Sequence, residues 1–198
     1  MSALEIPHFT RIVADSDFDG LCGAAILKKY NPKADIMFSH AAQIRNGSMD
    51  DYITDETVIV DLPFHQKCGW YLDHHQTNRP TDKQSIAFEQ NGGVIDWQPT
   101  PSAARLAYER IKPYVDLANF IDLMPFVDAL DSGGITLQEF VEDGELMCFS
   151  RTLSQTESEY MLDIVNMLAS GSTIDEIMIL PEVVKRLEFQ KENRKQLK

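Results

Sequence analysis

The chain has 198 residues, a hydrophobic content of 43% and a formal net charge of −13 at pH 7. This length allows one full hydrophobic core, and the acidic excess argues against long duplex DNA as a partner, because non-specific DNA affinity comes from clustered Lys and Arg. The three cysteines, Cys22, Cys68 and Cys148, form no CxxC pair. The N-terminus lacks signal-peptide features, and no run of about 18 apolar residues occurs. We therefore expect a cytoplasmic protein without disulfides or membrane-spanning segments.

The first hundred residues alternate between short apolar runs and helix-forming segments. The run at 9–14 predicts a strand, and 21–30 predicts a helix that ends at Asn31-Pro32. Three further strands are predicted at short apolar runs separated by polar loops, at 35–38, 57–60 and 70–72. Another short apolar segment, 94–97, precedes the helical half of the chain. This order is typical of an α/β domain with a central, mainly parallel sheet and flanking helices.

From residue 102 onward the pattern is almost wholly helical. Helices are predicted at 102–111, at 115–130 with a bend at Pro125, at 136–141, at 157–168, at 173–180 and from Pro181 onward. We assign residues 1–180 to one domain with a helical C-terminal portion, and 181–198 to a connector-like helix. Because apolar side chains end near Phe189, this last helix is expected to dock at its start and project at its end.

Three aspartates alternate in one loop directly after the first predicted strand. Asp15, Asp17 and Asp19 form the pattern Asp-x-Asp-x-Asp-Gly, which also opens an EF-hand calcium loop. The twelfth position of such a loop must supply a bidentate Glu, and Ile26 stands there in this chain. A single Asp would be enough to cap the following helix. Three carboxylates in one loop instead indicate a divalent-cation site.

Two more polar groups follow later predicted strands. Asp61 closes the apolar run Val58-Ile59-Val60, and Asp73-His74-His75 follows Tyr71-Leu72. The carboxyl ends of parallel strands meet at one edge of a sheet, so we expect these side chains to gather there. Gathered carboxylates repel one another unless a cation neutralises them. The chain therefore reads as a metalloenzyme.

Zinc is an alternative interpretation of the second group. His65-x-x-Cys68 with His74 nearby would supply zinc-type donors, and adjacent histidines also occur in solvated turns. The surrounding donors, however, are mostly carboxylate oxygens, which suit manganese or magnesium, while imidazole shifts the preference toward manganese. Cys68 is expected to pack as a small hydrophobic residue.

Four short motifs, taken in order, resemble those of the DHH phosphoesterase superfamily and in particular its RecJ-like branch. They are VADSDFDGLCGAAIL, VIVDLP, WYLDHHQTN and FVDALDSG. The likeness covers residues 9–135 in detail and the following helices loosely. It implies a DHH-type catalytic domain over 1–180 that hydrolyses phosphoesters with two divalent metal ions, usually manganese, with magnesium as the alternative.

The resemblance also implies the metal ligands. Asp15 and Asp17 would hold one metal. Asp19 and His74 would hold the other, together with the aspartate of the fourth motif. Asp61 would bridge both metals. Since Asp15 stands where many family members have His, an oxygen replaces a nitrogen and the preference would shift toward magnesium.

The remaining motif residues are assigned to the substrate side by the same resemblance. His75 would lie beside the phosphate, and Asp73 would orient a histidine. The fourth motif offers two candidates, Asp128 and Asp131. We favour Asp128, because it follows Phe126-Val127 as the family's Asp follows a small or apolar pair, and we interpret Asp131 as a turn residue.

Family members usually carry a second, C-terminal domain with a GGGH-like motif, which is not found in these residues. We therefore expect an open substrate site that a companion domain or a homo-oligomer would complete. Arg45, Arg79 and Lys83 are candidate phosphate contacts. Ser102, near a predicted helix start, would offer backbone N–H groups to an anion.

Together these features predict a metal-dependent phosphoesterase, a hydrolase of phosphodiester bonds in short oligonucleotides or a related small phosphodiester, acting by a two-metal mechanism. A pyrophosphatase or exopolyphosphatase activity is the first alternative. A DHH-like domain that binds or scaffolds without turnover is the second. The expected partners are a small phosphate-containing substrate or short single-stranded nucleic acid, and no membrane.

Overall fold

The computed structural model describes residues 5–196, with a five-stranded, entirely parallel sheet at the centre. The strands β1 to β5 are Arg11–Asp15, Asp35–Ser39, Thr57–Val60, Trp70–Asp73 and Val94–Trp97. Their order across the sheet is β2-β1-β3-β4-β5. The chain therefore changes its direction of progression between β1 and β3. Open parallel sheets bind ligands outside the carboxyl ends of the strands at such a reversal.

Helices cover both faces of the sheet. They are, as α1 to α10, Phe18–Tyr30, Ala41–Arg45, Asp82–Gln90, Ala103–Ile111, Met124–Asp131, Leu137–Glu142, Glu145–Ser150, Ser158–Ser170, Ile174–Met178 and Pro181–Gln196. The larger core lies between the sheet and α1, α4, α5 and α8. The smaller core, on the other face, receives Ile44 from α2 and Phe88 from α3. The expected α/β architecture with a helical C-terminal region is confirmed.

Helix α1 lies inside the larger core, with the sheet on one side and α4 and α8 on the other. Its first ten residues are all buried, including Asp19. Small side chains make this approach possible: a Cβ added at Gly23 would come within 2.9 Å of a Val60 methyl group. The helix that follows the three aspartates is therefore fixed rigidly against β3, whose end carries Asp61.

Some predicted elements differ from those observed. The helices α2, α3 and α7 lie where the sequence predicts loops or no element. The predicted helix at 115–130 is divided into a 3-10 turn at Ala118–Phe120 and the helix α5. Pro125 lies in the first turn of α5, where a missing N–H costs nothing, so it helps to begin a helix and does not bend one.

The last helix is docked over most of its described length. Val183 and Leu187 are buried, as the pattern predicts. The polar end is also held, because Arg194 donates to the Phe140 carbonyl oxygen of α6 and lies 2.7 Å from a carboxylate oxygen of Asp143. The expected projection is thus absent through residue 196, and residues 197 and 198 lie outside the described residues. No helix in the described range is long and apolar enough to cross a membrane.

Candidate metal centre

The aspartate loop lies at the carboxyl end of β1, where the direction of progression reverses. Asp15 is the last residue of β1, and Asp17 is the N-cap of α1, accepting a hydrogen bond of 2.9 Å from the backbone N–H of Gly20. A Cβ at Gly20 would lie only 2.3 Å from the Asp15 carbonyl oxygen. Glycine at this position is therefore required for the chain to turn from strand to helix within this loop.

Asp19 points from α1 toward the start of α4. Its two carboxylate oxygens accept hydrogen bonds of 2.7 Å each from the backbone N–H groups of Ala103 and Ala104. These N–H groups belong to the first turn of a helix. Such groups have no partner within the helix, and they favour a negative charge. The carboxylate of Asp19 is thereby fixed in place beside His74, whose Nε2 lies 3.7 Å away.

Asp61 follows β3 with a strained backbone. Its φ angle is +60°, in the left-handed region, and the residue is buried. Aspartate tolerates this region better than most residues, which helps to explain why the chain can turn inward here. The Oδ1 atom of Asp61 is buried without a hydrogen-bond partner. It lies 3.4 Å from His75 Nδ1 and 3.8 Å from His74 Nε2.

Asp73, at the end of β4, organises the two histidines. Its Oδ1 accepts hydrogen bonds from the backbone N–H groups of His74 and His75, at 2.8 and 3.2 Å, and lies 3.1 Å from His75 Nδ1. The hydroxyl of Tyr71 donates to its Oδ2 at 2.7 Å. Both oxygens are thus used within the protein. The side chain of His75 remains 41% exposed.

His74 presents one ring nitrogen to the centre of the cluster. Its Nδ1 lies 2.9 Å from the carbonyl oxygen of Thr100, which can only accept, so Nδ1 carries the proton. In the neutral ring Nε2 then has a free lone pair, which is the arrangement that metal-binding histidines show. Nε2 lies 2.9 Å from Asp131 Oδ2, so the two groups form an ion pair when the ring is protonated, and neither atom has another hydrogen-bond partner.

Three buried polar atoms in the cluster therefore lack a hydrogen-bond partner: Asp61 Oδ1, His74 Nε2 and Asp131 Oδ2. Such atoms are costly unless a further group satisfies them. Asp19, His74 and Asp131 offer ligand atoms within 4.8 Å of one another, and so does a second group, Asp61, Asp73, His74 and His75. One imidazole with several carboxylates is a donor set for manganese or magnesium. The residues present fit a divalent cation.

The electrostatics of the cluster agree with this geometry. Burial, with Asp17 nearby, raises the pKa of Asp15 from 3.8 to about 7. Burial and neighbouring carboxylates also raise the pKa of Asp17, Asp19 and Asp61. Burial alone would lower the pKa of His74, but Asp131 and Asp19 outweigh it and raise the pKa from 6.5 to about 9. The carboxylates of the cluster are thus harder to ionise than free ones, and a bound cation would favour their charged forms.

The two candidates for the fourth-motif aspartate lie in different surroundings. Asp128 lies outside the cluster: Ser102 donates to its Oδ1 at 2.7 Å, and Arg105 Nε donates to its Oδ2 at 3.0 Å. Asp131, three residues later on α5, reaches His74 instead. The sequence favours Asp128 as the fourth-motif ligand because of its apolar neighbours. Those neighbours carry no information on Arg105, which is distant in sequence and forms an ion pair with Asp128.

The helix start at Ser102, predicted as an anion contact, already binds a carboxylate of the protein. Ser102 is fully buried and caps α4, with its hydroxyl accepting from the Arg105 N–H. Asp19 already occupies the N–H groups that follow Ser102 in this turn. The remaining candidates, Arg45 and Arg79, are both exposed near the turn after His75. Lys83 is exposed on α3.

Two contributors to the site were not singled out from the sequence. Tyr71 orients Asp73, and a signal for it existed, because residues two apart on a strand share a face. Thr100 acts through its backbone carbonyl, which any residue type would supply. Its role therefore leaves no trace in the sequence.

Comparison with known proteins gives a structural likeness. No family model and no curated protein matches the chain. The structure resembles a pGpG-specific phosphodiesterase, PggH, from Vibrio cholerae, with a TM-score of 0.67 and 28% identity over 90% of this chain. It also resembles an uncharacterized protein from Helicobacter pylori G27, with a TM-score of 0.50 and 14% identity over 94% of this chain, a likeness of fold alone. The chain spans 58% and 62% of the lengths of these two proteins.

Proposed function

We propose that this chain is a metal-dependent phosphodiesterase of the DHH superfamily that hydrolyses short oligonucleotides. The observation that carries the proposal is the convergence of three buried polar atoms without a hydrogen-bond partner, on Asp61, His74 and Asp131, at the sheet's reversal point. The likeness to a pGpG-specific phosphodiesterase supports the substrate class. The net charge of −13 is more compatible with a small substrate bound at one site than with a long nucleic acid, which is bound through many phosphate contacts.

In this proposal the carboxylates and His74 form a two-metal site, with manganese favoured and magnesium as the alternative. Asp19, His74 and Asp131 hold one ion, and Asp15 and Asp17 hold the other. The fourth-motif role thus passes to Asp131, because Asp128 is paired with Arg105. Bound ions would supply Lewis-acid activation of water and of the phosphate.

Asp61 is proposed to face both ions. Its Oδ1 lies near His74 and His75, and, after burial, the charges of Asp19 and Asp17 are the largest influences that raise its pKa. A single carboxylate between two ions explains why the chain accepts left-handed backbone and burial at this position.

His75 is proposed to contact the scissile phosphate. The hydrogen bond to Asp73 raises its pKa above 6.5, against an opposing effect of burial. Because Asp73 accepts from Nδ1, the ring is oriented by Asp73, which Tyr71 orients in turn. The ring is left partly exposed, so it can donate to a phosphate oxygen that enters from solvent.

The test is turnover of a dinucleotide by the purified chain. We expect release of mononucleotides from pGpG with Mn²⁺, less with Mg²⁺ and none after EDTA treatment. Pyrophosphate and polyphosphate are tested in parallel, because hydrolysis of these alone would replace the proposal with the alternative activity. Tight binding of pGpG without any turnover would instead indicate a binding domain. As a control for charge, Asp163→Asn on the exposed face of α8 should leave turnover unchanged.

A further inference from the structure

Two arginines stand apart from the rest of the chain. Of its eight arginines, six lie within 4.0 Å of a carboxylate oxygen: Arg11, Arg105, Arg110, Arg151, Arg186 and Arg194. Arg45 and Arg79 have no carboxylate partner among residues 5–196. In a protein with 31 acidic residues against 18 basic ones, such guanidinium groups are unusual. Their positive charge stays available for an external anion.

Both arginines are held by uncharged groups. Arg45 donates to the side-chain oxygen of Asn78 at 2.9 Å, and the guanidinium carbon of Arg79 lies 4.5 Å from the centre of the Trp97 ring. An amide or an aromatic ring orients a guanidinium group without neutralising it. These contacts therefore fix the direction of each side chain and preserve its charge.

The supports of both arginines meet at His75. The backbone N–H of Asn78 donates to the His75 carbonyl oxygen at 3.2 Å, and the indole N–H of Trp97 donates to the same oxygen at 3.1 Å. The arginines are thus held by groups that bond the backbone of the proposed phosphate contact, while its ring lies beside Asp61 and Asp73 of the cluster. We call Arg45, Asn78, Arg79 and Trp97 the arginine rim.

We propose that the arginine rim binds a second, non-scissile phosphate of the substrate. This inference rests on the proposed function, and it assigns the substrate class more narrowly, to short oligonucleotides that carry a terminal phosphate beside the bond to be cut. A phosphate is the anion of choice because a guanidinium group can donate two parallel hydrogen bonds to it. Two arginines suit one or two phosphates and are too few for a long strand.

The decisive experiment compares pGpG with GpG, the same dinucleotide without its terminal phosphate. The wild-type chain is expected to show kcat/KM about tenfold or more higher for pGpG, with the difference mainly in KM, since a charge-assisted contact to phosphate is lost. In Arg45→Gln and Arg79→Gln the preference should shrink, and in the double variant the two substrates should become nearly equal. Added salt should raise KM for pGpG more steeply than for GpG.

Controls separate charge from structure. Arg45→Lys and Arg79→Lys keep the charge but lose the planar fork, so they should retain an intermediate preference. Lys33→Gln removes one exposed positive charge from the turn before β2, at the amino end of that strand. It should leave the ratio of kcat/KM for pGpG and GpG unchanged. Far-ultraviolet circular dichroism checks that each variant is folded.

The outcomes also separate this inference from the proposed function. Equal kcat/KM for both dinucleotides in the wild-type chain would overturn the role of the rim and leave the phosphodiesterase intact. If neither dinucleotide is hydrolysed, the proposed function fails. Calorimetric titration with the same two dinucleotides then tests whether the arginine rim binds the terminal phosphate. Tighter binding of pGpG that the glutamine variants abolish would sustain it, and equal or undetectable binding would reject it.

Discussion

The two aspartates of helix α5 lie one helical turn apart in opposite surroundings. Asp128 is paired: Ser102 and Arg105 donate to its two oxygens. Asp131 has a buried oxygen without a hydrogen-bond partner, 2.9 Å from an unpaired nitrogen of His74. The first carboxylate is satisfied inside the protein, as a structural group is. The second has an oxygen without a hydrogen-bond partner, as an available metal ligand has.

The difference comes from helix α4 and not from α5 itself. Ser102 caps α4, and Arg105 follows on its first turn, so both point toward Asp128. The first N–H groups of the same helix are given to Asp19. Helix α4 thus fixes two carboxylates with its own donors, and it leaves Asp131 free to reach His74.

The largest expected difference in turnover between two variants comes from replacing each of these carboxylates in turn. Asp131→Asn should lower turnover of pGpG about 100-fold or more, since it removes a proposed metal ligand while keeping shape. Asp128→Asn should lower turnover less than about tenfold and instead reduce the free energy of unfolding by about 1–2 kcal/mol, because Arg105 loses its charged partner. Steady-state kinetics and urea denaturation measure the two effects.

The pair of variants also serves as its own control. A larger loss of activity in Asp128→Asn than in Asp131→Asn, with both variants folded, would return the fourth-motif role to Asp128. Metal titration adds a second readout, because only Asp131→Asn should weaken the affinity for Mn²⁺.

The sequence could predict the sheet and the cluster but not this distinction. Strand positions follow from short apolar runs with β-branched residues, and the acidic groups follow those runs directly. Because parallel strands end at one edge, the meeting of Asp61 with His74 was also predictable in outline. Whether Asp128 or Asp131 joins them depends on which one Arg105 neutralises. That contact is tertiary and has no local signal.

Two of the helices that the sequence does not predict also depend on tertiary contacts. The α3 segment, Asp82–Gln90, buries only Phe88, so its apolar periodicity is weak, although Thr81 and Gln84 form a capping box at its start. The five-residue α2 buries only Ile44. Such helices are stabilised by the smaller core on which they rest, and that support becomes visible only in the folded chain.

A second prediction sharpens the contrast between satisfied and unsatisfied carboxylates. Asp61→Asn should abolish activity yet raise the free energy of unfolding of the metal-free protein by about 1 kcal/mol or more, because a buried oxygen without a partner is no longer charged. Asparagine is chosen because it tolerates the φ angle of +60°, where alanine would be strained. Adding Mn²⁺ should stabilise the wild-type chain and not the variant.

Asp143 supplies the matched control for this substitution. It is the other non-glycine residue with positive φ among those described, at 58°, but its carboxylate is paired with Arg151 and Arg194. Asp143→Asn should therefore destabilise the protein. Equal effects of the two substitutions on metal-free stability would contradict the claim that Asp61 is unsatisfied.

The last expected effect, one on stability without a change in turnover, is the pH dependence of the free energy of unfolding. The pKa of Asp15 is about 7 in the folded chain against 3.8 in the unfolded one. Between these values the folded state binds more protons than the unfolded state, so the metal-free protein should lose stability as the pH rises from about 4 to about 7. Asp17, Asp19 and Asp61 shift in the same direction and should steepen the slope.

Divalent cations should remove this pH dependence, because they bind the deprotonated carboxylates of the folded state and replace the protons. The measurement is urea denaturation at several pH values from 4 to 8, with EDTA and with Mn²⁺. Asp15→Asn should flatten the slope in EDTA, whereas Asp163→Asn, on the exposed face of α8, should leave it unchanged. A metal-free protein whose stability rises over this range would show that the carboxylates at the end of β1 are satisfied within the protein, as Asp128 is, and are not held ready for a cation.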